Sequence, residues 1–160
     1  MHMYINMYFV NHILLKTEPS SYSIDDLKRD GATSWTGVRN YQARNIIRDE
    51  IKLGDLCIMY HSSCAVPAAV GVGKVVKTAY ADPLQFDVKS EYYDARSPKA
   101  TLRWLAFDVA FVEKFKTPVT LAQMRTVSSL ADMCLLGKGN RLSVFPVAKK
   151  HFETIVRLSK

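Results

Sequence analysis

Cysteine is scarce in this chain of 160 residues: there are three, Cys57, Cys64 and Cys134, widely spaced and without a CxxC pair. Such a set supplies neither a disulfide framework nor a thiolate zinc site. It suits a reducing compartment, so a cytoplasmic location is expected. The four histidines, His2, His12, His61 and His151, fall in no HxxxH or HExxH pattern, and neither a metal nor another cofactor is expected. No apolar run approaches the ~18–20 residues that a membrane span requires. Repeats and low-complexity tracts are missing, and 48% hydrophobic with 23% charged residues excludes disorder and collagen. The first dozen residues lack the cationic start, long apolar centre and small-residue cleavage site of a secretory signal. Residues 1–12 are therefore read as an N-terminal extension and 13–160 as one domain. What the chain does have is positive charge: 22 Lys+Arg against 15 Asp+Glu gives +7. That excess points to a polyanionic partner without locating the patch.

Patterning predicts a first strand over residues 8–16, then a short helix opened by Ser23, with Asp26 at the capping-box position and Gly31 at its end. Residues 32–40 read as a loop, and 41–51 as a helix with Ala43, Ile46, Ile47 and Ile51 along its apolar stripe. The apolar run 55–61 reads as a strand covered on both faces. A valine-rich strand follows at 68–78, where Gly71 and Gly73 suggest close backbone approach. Residues 79–100, with Tyr92 and Tyr93 in the middle, form a loop long enough to suggest function. Strict alternation marks a strand at 104–112. Thr120 caps a short helix over 121–125, another helical turn is expected at 128–133, a last strand at 142–147 and a terminal helix at 148–158. This order is not an alternating βαβ series. It predicts an α+β fold: a small, strongly bent sheet or barrel flanked by short helices.

Few residues offer catalytic chemistry. Cys57 lies in an apolar strand, where a thiol is inert, and Cys64 beside His61 has no acidic partner to orient the histidine. The GVGK at 71–74 lacks the spacing of a phosphate loop. Residues 34–45 stand out. Trp35 precedes Gly37 in a loop, Arg39 and Asn40 sit at a helix start, and Arg44, Arg48 and Lys52 recur every four residues along the helix. An aromatic ring beside a cationic edge suits base stacking with phosphate tracking, which makes Arg39, Arg44, Arg48 and Lys52 candidate phosphate ligands. The alternative is that Trp35 is core and the cations form a solvated face balanced by Asp49 and Glu50. Two further clusters lie at strand ends, where binding groups collect: Lys16-Thr17-Glu18-Pro19 and Tyr60-His61-Ser62-Ser63.

Together KTEP, SWTGVRNYQARN, GDLCIMYHS, SEYYD and RLSVFPV, in that order, resemble the EVE domain family, which includes many small bacterial proteins. The resemblance runs from about residue 13 to 158, with Ile13 where the family usually has tryptophan. It implies a PUA-like fold, similar to that of YTH readers of methylated adenine, and recognition of a modified base, especially a modified cytosine, in DNA or RNA. Carried onto this chain, it implies a base pocket with Lys16 and Thr17 at its mouth, Trp35 as an aromatic wall and Asn40 at the base edge. Tyr60, His61 and Ser62 would close the opposite side. The expected function is thus a non-enzymatic nucleic-acid reader. The alternatives are a nucleotide- or RNA-processing enzyme using His61 or Glu18 as acid and base, and a domain for a small nucleotide or a protein partner.

Overall fold

The computed structural model describes residues 10–97 and 103–160. The expected strand start at 8–9, most of the extension and the loop end at 98–100 lie outside the described residues. Strand β1 (His12–Thr17) leads to helix α1 (Ile24–Asp30). The capping box forms as expected: the Ser23 hydroxyl accepts the Asp26 N–H, and the Asp26 carboxylate accepts the Ser23 N–H. Gly31 closes the helix with a φ of 79°. The expected loop then begins as a strand, β2 (Ala32–Trp35), paired antiparallel with a later strand from Ala32–Ala110 to Trp35–Phe107. Only Trp35 is buried in this short edge strand. No alternation betrays it, because the partner strand supplies its order.

Helix α2 (Tyr41–Asp49) buries Ala43, Ile46 and Ile47. Strands β3 (Leu56–His61), β4 (Ala68–Ala81) and β5 (Leu105–Thr120) follow, then helix α3 (Leu121–Met124), strand β6 (Val144–Val147) and helix α4 (Lys149–Leu158). Helical turns at Ser128–Leu130 and Cys134–Leu136 fill the span before β6. Strands β4 and β5 are longer than their patterns suggested, because four register shifts let them stay paired while bending.

Among the described residues, six strands form one mixed sheet in the order β2-β5-β4-β3-β1-β6, parallel only between β1 and β3. The expected α+β architecture is present, among the described residues, as a bent sheet with four helices, open rather than closed into a barrel. Leu14, Leu15, Ile58, Met59, Phe107 and Phe145 form its fully buried centre. Ile13 is buried with them, between Cys57 and Pro146 on the flanking strands. Gly71 allows α1 to lie against the sheet: a Cβ there would meet the Ile24 side chain and the Glu113 backbone oxygen.

Candidate functional site

Strand direction gathers the site. Because β1 and β3 are parallel, Thr17 and Ser62 emerge at the same end, and the Ser62 N–H donates to the Thr17 carbonyl at 3.0 Å. β6 runs antiparallel to β1, so its start arrives there too; the Lys16 N–H donates to the Ser143 carbonyl at 2.9 Å. The bend brings β2, from the other edge of the sheet, across from these ends. Between them is a cleft of about 860 Å³, a size suited to a small ligand or base. Lys16, Thr17, Trp35 and Ser62, all expected site residues, line it. Glu18 joins them, with Tyr22, Ser34, Tyr92, Arg141 and Ser143, which the sequence reading did not select.

The Trp35 wall is fixed from behind. Asp82 is fully buried; its Oδ2 accepts from the Gly37 N–H and from the Arg39 guanidinium, both at 2.8 Å, and its Oδ1 accepts the Leu84 N–H at 2.8 Å. Arg39 also donates twice to the Tyr92 carbonyl, and its guanidinium stacks 5.5 Å from the Tyr92 ring. Tyr92 in turn lies where a Gly37 Cβ would be, at 2.9 Å, and Gly37 has a φ of 81°. The two segments that flank the cleft, 36–39 and 91–92, are thus one assembly centred on a buried carboxylate. Farther along, the Trp104 indole donates to Asp94 at 2.8 Å, which together with nearby arginines holds that carboxyl down at about 2. Trp104 also stacks on Tyr41 with ring centroids 4.8 Å apart.

Several expected site residues face elsewhere. Asn40 caps α2, its side chain accepting the Ala43 N–H at 3.0 Å. Tyr60 is buried in β3, and burial raises its phenol pKa. His61 Nε2 accepts the Ile24 N–H at 3.1 Å, and burial lowers the imidazole pKa. Its role here is to hold the start of α1. The four candidate phosphate ligands on and beside α2 do not line the cleft. Arg39 is committed to Asp82 and Tyr92, Arg44 donates to the Arg103 carbonyl and to Asn45, and Arg48 pairs with Asp49. Lys52 lines a separate cavity of about 250 Å³ beside Ile13 and Pro146. No local signal marks Arg141 or Ser143 as site residues, since only the pairing of β6 with β1 carries them there; Tyr22 follows β1 directly, and the Thr17 hydroxyl donates to its carbonyl at 2.9 Å. The tyrosine pair in the long loop was visible, but not its destination.

Chemically, the cleft offers the accessible part of the Trp35 ring, which is otherwise buried at 8% exposure, with several hydroxyls and charges of both signs. Half-buried Lys16 has its ammonium pKa lowered by burial, and it donates to the Asn140 carbonyl at 3.5 Å. Among the described residues, no three histidines, cysteines or carboxylates cluster as a metal site.

Comparison with known proteins gives matches over most of the chain. The EVE domain model matches residues 11–158. Thymocyte nuclear protein 1 of Gallus gallus is 39% identical over 168 residues, covering 93% of this chain and 69% of that protein. A crystal structure of a Pseudomonas syringae protein superposes with a TM-score of 0.89 at 44% identity, covering 93% of this chain and 99% of that one. The human THYN1 protein, crystallised in complex with DNA containing 5-methylcytosine, superposes with a TM-score of 0.86 at 35% identity, covering 94% and 98%.

Proposed function

The chain belongs to the EVE domain family, and from that membership we propose that it reads a modified base, a methylated or hydroxymethylated cytosine first among them, in DNA or RNA. The observation that carries the reading is the cleft at the ends of β1 and β3 with Trp35 in its wall. A base extruded from its strand slides against the indole and Tyr92. Stacking of this kind is worth roughly 1–3 kcal/mol per base. A buried methyl adds about 0.8 kcal/mol, enough to favour the modified form several-fold. A relative of the same fold bound to 5-methylcytosine DNA supports the choice of ligand.

The module works by binding rather than by catalysis. The Nε2 lone pair of His61 is taken by a backbone N–H, which argues against its use as a general base with Glu18. The module begins at about Asn11 rather than at Ile13, since His12 opens β1 and the Asn11 N–H donates to Asp55 at 3.0 Å; the residues before it are an extension. Three free cysteines favour a reducing, cytoplasmic setting. Among the described residues, no helix is long and apolar enough to cross a membrane.

Titration of matched oligonucleotides with cytosine or 5-methylcytosine tests the proposal. Wild type should prefer the methylated strand, and Trp35→Phe and Tyr92→Ala should weaken that preference. Equal affinity for both strands in all three proteins would refute it.

A further inference from the structure

The charge around the cleft is sorted. Glu18 and Glu91 both lie close enough to Tyr92 to raise its pKa, after burial, so the carboxylates gather on that side. Lys16 and Arg141 line the other side, where β6 begins. Arg141 is exposed and follows Asn140, whose side chain fixes the turn: its Oδ1 accepts the Leu142 N–H at 3.0 Å and its Nδ2 donates to the Cys134 carbonyl at 3.2 Å. The Asn140 carbonyl in turn receives the Lys16 ammonium. Among the described residues, no carboxylate lies within ion-pair distance of either cation, and the Arg141 guanidinium donates no hydrogen bond. Arg39 before α2 and the arginines of α2, in contrast, are already engaged and lie outside the cleft.

We propose that Arg141 and Lys16 form the clamp for the nucleic-acid backbone, holding the phosphate beside the extruded nucleotide. The strand then approaches from the β6 side, away from Glu18 and Glu91, and its base enters towards Trp35. This inference rests on the base-reading proposal for the cleft. It moves the phosphate contact from α2, where the sequence pattern had placed it, to the turn before β6. A cation held against a turn by a carbonyl has a fixed position with its charge unspent, which is what a phosphate oxygen requires.

The salt dependence of binding tests the clamp separately from the base. Single-stranded oligonucleotides with one cytosine or one 5-methylcytosine are titrated by fluorescence anisotropy at about 50 to about 200 mM salt. Each phosphate contact on a single strand contributes about 0.7 to the slope of log K against log salt, so Arg141→Ala should lower the slope by about that amount. Across this fourfold range its affinity should fall about 2.6-fold less than that of wild type. Binding of both strands should weaken equally, with the methylation preference intact. Arg141→Lys should restore the slope, and Arg48→Ala should leave it unchanged. An unchanged slope in Arg141→Ala, or an equal loss in Arg48→Ala, overturns the clamp. Loss of methylation preference in Arg141→Ala alone also overturns it, because the arginine would then be reading the base. If wild type shows no preference, base reading fails while the slopes still decide the clamp; binding to neither strand refutes both.

Discussion

Replacing Asp82 with asparagine tests whether one buried carboxylate holds the cleft walls together. The side chain keeps its shape but loses its charge and one acceptor. Its carbonyl oxygen serves best if turned to Gly37 and Arg39, which currently share Oδ2. The amide NH2 then faces the Leu84 N–H, donor against donor, where a 2.8 Å hydrogen bond stood. Leaving a buried donor unsatisfied costs about 1–3 kcal/mol, and hydrogen bonds to a charged group lose roughly another 1 kcal/mol when the charge goes. Arg39, mostly buried, also loses its counterion. The total is about 2–4 kcal/mol, or a melting temperature lower by roughly 4–16 °C for a chain of this size. Calorimetry gives the stability, and the methylated oligonucleotide titration should show weakened binding even well below the melting point, because segments 36–39 and 91–92 are no longer joined. A loss below about 1 kcal/mol with unchanged affinity would refute this account of the wall.

Gly37→Ala should cost about 1–2 kcal/mol, because the residue occupies the left-handed region. It should also weaken base binding by displacing the Tyr92 ring; chemical denaturation and the same titration measure the two effects. Stability should decline with acidity near His61. Its folded pKa lies below 6.5, so its contribution is complete above pH 6.5 and is lost as the pH falls through the folded value. His61→Asn should flatten, without abolishing, the decline measured by denaturation between about pH 6.5 and 5, because burial lowers the pKa of His12 as well.

Much of the fold was legible where the determinants are local. Ser23, Asp26 and Gly31 mark both ends of α1, and the alternation of Leu105, Phe107 and Val109 marks β5. β2 was not legible, since its order comes from a strand more than 70 residues away. The same division applies to the site. Trp35, Lys16, Thr17 and Ser62 stand out because they occupy strand ends and a loop of unusual composition. Asn40 and His61 look equally polar in the sequence, yet backbone N–H groups claim them, one three residues away and the other 37. Arg141 reaches the cleft only through the pairing of β6 with β1. Spacing counts the cations of the basic stripe but does not reveal their partners: Asp82 pairs with Arg39, Asp49 with Arg48, and the Arg103 carbonyl accepts from Arg44.

The most direct measurement is a crystal structure of the chain with an oligonucleotide containing a single 5-methylcytosine. The account predicts that base unstacked and seated against Trp35 between Thr17 and Ser62, with its flanking phosphate beside Arg141. A base still stacked in its strand, or bound instead on the Tyr41–Trp104 surface, would contradict it.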